Sequence, residues 1–225
     1  MPAKHTIITI DGPAGTGKST VAKELAQTLR FLYFSTGALY RAVTWKIIQE
    51  AISLSDLKAI ATLLKTFSFC IEDNRYFVEG VDVTTALKDP VVTMHVSEVS
   101  ALGTVREGLK PIQISAAKER DIVFEGRDLG TVIFPNADIK FFLAARLKVR
   151  VERRFKELQR SLPQYTLSLE QTLKEMRERD QSDLRRTLAP LKRAEDAILI
   201  DTSDLNVEEV VNKMKEHYLN TKTIK

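Results

Sequence analysis

Residues 12 to 19 read Gly-Pro-Ala-Gly-Thr-Gly-Lys-Ser, a full match to the pattern G-x-x-x-x-G-K-[ST]. Such a loop works only between a β-strand and a helix, so the match constrains the fold as well as the chemistry. Both neighbours are legible. Residues 6–10 are a short β-branched run, and residues 18–29 form a helix-like stretch. Glycines let backbone N–H groups converge on an anion that side chains would block, and the helix amino terminus adds the positive end of its dipole. The ligand that suits this device is a polyphosphate. Lys18 is expected to bridge the β- and γ-phosphates of ATP, and Ser19 to place its hydroxyl on Mg²⁺. Gly12, Pro13, Ala14, Gly15, Thr16 and Gly17 complete the expected ATP loop, with Thr20 beside them.

Residues 31–34, 122–125, 139–143 and 197–200 read as further strands, and 37–49 as a helix with Leu39, Val43 and Ile47 on one side. Strands interleaved with helices predict an α/β fold, a doubly wound parallel sheet of about five strands. Two stretches break that rhythm. Residues 66–71 and 76–81 alternate in polarity around Glu72-Asp73-Asn74-Arg75, which predicts a small antiparallel insertion within 66–83. Residues 161–190 are polar and Arg-rich and read as a mobile flap between two helical stretches. Ahead of them, Leu147, Val151, Phe155 and Leu158 form an apolar stripe expected to dock on the sheet.

Composition narrows the function classes. The 225 residues, 44% hydrophobic, suit one compact domain with modest insertions. Lys and Arg total 34 against 30 Asp and Glu, a surplus of +4 that is too small to mark a nucleic-acid binder. The charge is uneven: residues 146–193 hold 14 Lys/Arg and 7 Asp/Glu, which fits a polyanionic ligand or a solvated helical face. That basic segment also motivates a reading of another class, an RNA-associated NTPase. The aromatic-interleaved platform for single-stranded RNA is missing, however. Cys70, the one cysteine, lies in an apolar run, reads as an inert core thiol and excludes an internal disulfide. His5, His95 and His217 show no metal-ligand spacing. No apolar stretch approaches ~18 residues, and the first five residues start no signal-peptide core. A soluble, cytoplasmic monomer with no membrane or nucleic-acid partner is expected.

The guanine-specifying pattern N-K-x-D is absent, which disfavours a GTPase. The strand at 122–125 ends in Glu125, which either approaches Mg²⁺ through water or has no such role. Two polar segments follow strands. Ser35-Thr36-Gly37-Ala38-Leu39-Tyr40-Arg41 offers Thr36 or Ser35 as a helix N-cap, and Glu125-Gly126-Arg127-Asp128-Leu129-Gly130-Thr131 carries a basic–acidic pair. Ligands of open α/β sheets bind at the carboxyl ends of strands, so both segments are expected beside the phosphate loop. By position alone, Arg106 with Glu107 and Asp128 with Arg127 also read as surface ion pairs, and Tyr40 as a packing residue.

These segments closely resemble the bacterial cytidylate kinases, within the nucleoside monophosphate kinases. The likeness runs through nearly the whole chain: Ile10-Asp11-Gly12-Pro13, Thr36 to Arg41, Val105-Arg106-Glu107, Gly126 to Val132 with Phe134-Pro135, and Glu178-Arg179-Asp180 leading to Ala189-Pro190-Leu191. The resemblance implies transfer of the γ-phosphoryl of ATP, with Mg²⁺, to CMP or dCMP. UMP, AMP or a small metabolite is the alternative acceptor. It implies a phosphate-loop core at 1–35, 100–155 and 188–225, a monophosphate-binding region at 36–99 with the insertion at 66–83, and a helical lid at 156–187. It puts Asp128, Arg106 and Ser97 at the base, and Arg41 and Arg127 on the acceptor phosphate. Arg179, Asp183 and Arg186 fall at ribose and phosphate, with Thr36 and Tyr40 also in the CMP site. Lys18, Arg127, Arg179 and Arg186 would neutralise the moving phosphoryl group. Cytosine offers an N4 amino donor with N3 and O2 acceptors, whereas uracil reverses N3 and O4, so a carboxylate with an arginine would select C over U. Ser182 and Leu184 stand where some relatives carry further arginines, which leaves open how much charge the lid supplies.

Overall fold

A computed structural model describes residues 5–161 and 168–223; the residues before 5 that were read for a leader, and 162–167 of the expected flap, lie outside them. In chain order the elements are β1 (Ile7–Asp11), α1 (Lys18–Leu29), β2 (Leu32–Ser35), α2 (Thr36–Gln49), α3 (Leu57–Thr66), β3 (Phe69–Glu72), β4 (Arg75–Val78) and β5 (Val81–Asp82). They continue with α4 (Pro90–Ala101), α5 (Gly103–Ala116), β6 (Ile122–Glu125), β7 (Ile139–Ala144), α6 (Leu147–Ser161), α7 (Leu169–Arg185), β8 (Ile198–Asp201) and α8 (Val207–Thr223). A 3₁₀ turn at Ala86–Lys88 and a π turn at Leu129–Ile133 lie between them. The chain divides into two compact units, Met1–Phe34 with Arg120–Lys225, and Ser35–Glu119.

The first unit holds a five-stranded sheet in the order β2-β6-β1-β7-β8. β1 pairs in parallel with β6 and with β7, and β7 with β8. Near-continuous apolar runs such as Ile122-Val123-Phe124 suit strands covered on both faces, and Ile8, Ile10 and all three of those residues are fully buried. Val21, Ala22 and Leu25 of α1 join Val210, Val211, Met214 and Tyr218 of α8 in one core with β1 and β7. Each of the valine, leucine and methionine side chains contributes about 1.5–3 kcal/mol on burial. α6 packs on α7, where Val151, Leu158 and Met176 are buried. The stretch read as a flap is largely helical, and its second helix opens with a capping box in which Ser168 and Gln171 each bond the other's backbone N–H.

The second unit gathers α2 to α5 and a small sheet. Leu39, Val43 and Ile47 of α2 are buried as their spacing predicts. α2 packs on α4, and α3 on α5. Residues of α5, grouped with the phosphate-loop core from the sequence, therefore belong to this unit. Within 66–83, β3, β4 and β5 form a three-stranded antiparallel sheet. Its first turn is Asp73-Asn74, both at positive φ, which matches the twist of a tight hairpin. Cys70 is not the core thiol that its apolar neighbours suggest. Period-two alternation turns Cys70 and Glu72 outward, so the thiol is exposed. Partial burial, then the Glu72 carboxylate, raises its pKa above the ordinary thiol value.

Candidate active site

The loop between β1 and α1 closes on Gly17, the left-handed N-cap of α1. Two glycines are required by close approach at positive φ. A Cβ on Gly12 would run into the Leu143 carbonyl, and one on Gly15 would stand 2.6 Å from the carbonyl oxygen of Arg150. Within the loop, the Lys18 ammonium donates to the Pro13 carbonyl at 2.7 Å, and the Thr16 hydroxyl donates to the same oxygen at 3.0 Å. Lys18 is buried. Burial and then the Arg127 guanidinium hold its pKa well below the usual lysine range, with Arg179 pressing the same way against Glu125 and Asp11. Glu125 ends β6 opposite Ile10, beside the entry to the loop. Its charge acts on Lys18.

A second loop, 126–131, follows β6. Arg127 donates from Nε to Asp183 at 3.1 Å, and Arg186 donates from Nη2 to Asp128 at 3.3 Å. Arg186 also lies 3.7 Å from Asp183 and donates from Nε to the Ala189 carbonyl at 2.6 Å. Asp128 and Asp183 are both buried. Both of these ion pairs run between the loop and α7 or its C-cap. This unit brings together Lys18, Arg127, Asp128, Arg179, Asp183 and Arg186. Ser182 and Leu184 face solvent on α7.

In the second unit, Ser35 caps α2 by accepting the Ala38 N–H at 3.1 Å, so of the two candidate caps Thr36 is instead the first helical residue. The Arg106 guanidinium is 5.6 Å from the Tyr40 ring centroid and donates to the Ser100 carbonyl at 3.1 Å. Ser100 in turn donates its hydroxyl to the Ser97 carbonyl. Arg41 donates to the Leu87 carbonyl and the Thr93 hydroxyl at 3.1 and 2.8 Å. Arg106 of α5 thus meets Tyr40 of α2 and, through the Ser100 carbonyl, the turn of α4 that includes Ser97, while Arg41 of α2 bonds elsewhere. Arg106 is buried rather than part of a surface pair with Glu107.

Sequence reasoning missed Arg150. It is buried on α6, donates to the Ala14 carbonyl at 3.0 Å and to Asp180 of α7 at 2.7 Å, and so ties the phosphate loop to that helix. Nothing distinguishes it in sequence from the other arginines of a basic segment. Thr202, after β8, adds a hydroxyl donated to the Thr16 carbonyl at 3.1 Å. For a magnesium ion the donor chemistry fits sparingly. Ser19 presents an exposed hydroxyl, a hard oxygen ligand, at the first turn of α1. Among the described residues no group of three or more His, Cys, Asp or Glu could hold a metal. Such an ion would take most of its oxygens from phosphate and water. Among the described residues, no helix is long and apolar enough to cross a membrane.

Known proteins resemble this chain along its length. The cytidylate kinase family model matches residues 8–220. A cytidylate kinase of Protochlamydia amoebophila (strain UWE25) is 48% identical over 223 residues, covering 96% of this chain and 98% of that protein. One from Listeria monocytogenes serovar 1/2a (strain ATCC BAA-679 / EGD-e) is 45% identical over 214 residues, 94% of this chain and 95% of that protein. A solved structure of an uncharacterized protein from Eubacterium ventriosum ATCC 27560 superposes with TM-score 0.52 at 14% identity, covering 95% of this chain and 98% of that one, and speaks to the fold alone. A match that begins in β1 and ends in α8, with the phosphate loop and the arginine-rich helix both inside it, places the chain in the cytidylate kinase family.

Proposed function

We propose that this protein transfers the γ-phosphoryl group of ATP to CMP or dCMP, giving ADP and the nucleoside diphosphate. One observation carries the reading. Lys18 is buried with Arg127 and Arg179 close enough to lower its proton affinity. Glu125 and Asp11 beside Lys18, and Asp183 on Arg127, offset part of that positive charge, and a polyphosphate in the loop would take up the rest. Lys18 would bridge the donor phosphates within the loop from Gly12 to Thr20. Arg127, Arg179 and Arg186 would oppose charge on the moving group. Arg186 is bonded to Asp128 in the structure, so a phosphate would have to compete for it. A magnesium ion, held on the protein side by Ser19, would supply further positive charge at the phosphates.

The acceptor phosphate is already ionised, so its attacking oxygen needs no general base. We assign Arg41 and Arg127 to that phosphate, because a guanidinium meets phosphate oxygens in pairs. Asp183 and Arg179 are assigned to the ribose side, and Thr36 and Tyr40 to the CMP site. Asp128 would accept from the N4 amino group of cytosine, and Arg106 with Ser97 would serve the acceptor edge of the base. UMP would turn a carbonyl toward Asp128 and leave both acceptors without a hydrogen. Cytoplasmic residence is part of the same reading. Product formation from ATP with CMP, dCMP, UMP and AMP offered separately tests it, each with and without Mg²⁺. We expect the cytosine nucleotides to exceed the others by about 100-fold or more, and EDTA to abolish turnover. Equal rates with UMP or AMP overturn the acceptor assignment.

A further inference from the structure

Asp11 lies at the carboxyl end of β1, immediately before the phosphate loop, and none of the roles above uses it. Its side chain is buried, 4% exposed, and receives the Leu129 N–H at 3.1 Å on one oxygen and the Gly130 N–H at 2.8 Å on the other. Those are the first two amides of the π turn Leu129–Ile133, which have no partner inside a turn of that type. A third bond, Gly126 N–H to the Ile10 carbonyl at 3.0 Å, ties the start of the same loop to β1. Arg127 and Asp128 lie between these tethers, and their side chains reach Asp183 and Arg186.

We propose that Asp11 is a positioning residue for the acceptor: its two carboxylate oxygens hold the 126–131 loop so that Arg127 and Asp128 present their charges to the monophosphate nucleotide. The proposal rests on the acceptor reading given above. Each of the two successive amides meets its own carboxylate oxygen. Asparagine offers one and aims an NH₂ at the other amide, while serine is too short to span both. The carboxylate is kept here at a cost, since burial is the largest influence on it and raises its pKa to about 6. The groups that face it are Asp128, which raises it further, and Lys18, which lowers it. Space around Gly130 is limited more by Lys140 than by Asp11. A Cβ there would meet the Asp11 carboxylate at 3.4 Å and the Lys140 side chain at 3.1 Å.

Steady-state kinetics with the whole chain test the proposal by separating the two substrates. Asp11→Asn should raise KM for CMP about 10-fold, with KM for ATP within about twofold and kcat reduced less than KM is raised. Asp11→Glu, which keeps two carboxylate oxygens but displaces them from the two amides, should shift KM for CMP the same way by about two- to fivefold, and decides the matter if the first variant fails to fold. Unchanged KM for CMP, or a larger shift in KM for ATP, overturns the positioning role while leaving the function intact. Absence of CMP turnover in the unaltered protein overturns the function reading and the role together.

Discussion

Lys18 is held by its own loop, through the Pro13 carbonyl, and opposed by Arg127. That arrangement costs folding energy and favours an incoming anion, so stability and activity should separate at this residue. Lys18→Ala is expected to lower kcat by about 10³ or more, while the thermal midpoint stays level or rises. A near-normal turnover would reject the assigned role. The motif made Lys18 and its loop legible because both act through local backbone geometry. Arg150 and Asp11 were not legible, because each acts through partners more than 100 residues away in the chain or on another helix. An arginine in a basic stretch and an aspartate after a strand carry no local mark of such contacts.

Helix α7 collects Arg179 and Asp183 along its length and ends at Arg186, its C-cap. It begins in a reciprocal cap between Ser168 and Gln171, exposed to water and distant in sequence from the ion pairs at its other end. Ser168→Ala should cost the first turn about 1 kcal/mol. The amides of the first turn should then exchange about fivefold faster, with those near Asp183 unchanged; uniform acceleration along the helix would instead mean that α7 opens as one piece. Strand and helix positions came through in sequence because apolar period and β-branched runs are local signals, and α1 and β6 fall on the expected residues. Pairing partners did not. The α6 stripe does not reveal that α7 lies against that helix, and the outward turn of Cys70 depends on which face of β3 is covered.

Folding stability of the whole molecule should carry the signature of Asp11. Its pKa is about 6 in the folded chain against an ordinary 3.8. The folded chain therefore binds that proton more tightly than the unfolded one. The ionised carboxylate costs stability in full above pH 6, and the cost is relieved as pH falls through 6 toward 4. Against Asp11→Asn, which takes up no proton, the unaltered protein should gain up to about 3 kcal/mol over that range. Denaturant midpoints of the two proteins at pH 7.5, 6 and 5 measure this, and a constant difference between them contradicts it. The phosphate loop, the alternation of strands and helices, and the family-like segments can be read along the chain, because each is a run of neighbours whose chemistry does not need the rest of the molecule. Which charge meets which is another matter. Arg127 joins Asp183, Arg186 joins Asp128, and Asp11 holds two amides of a later loop, since burial and strand order bring distant residues to hydrogen-bond distance. Those pairings exist only once the sheet has formed.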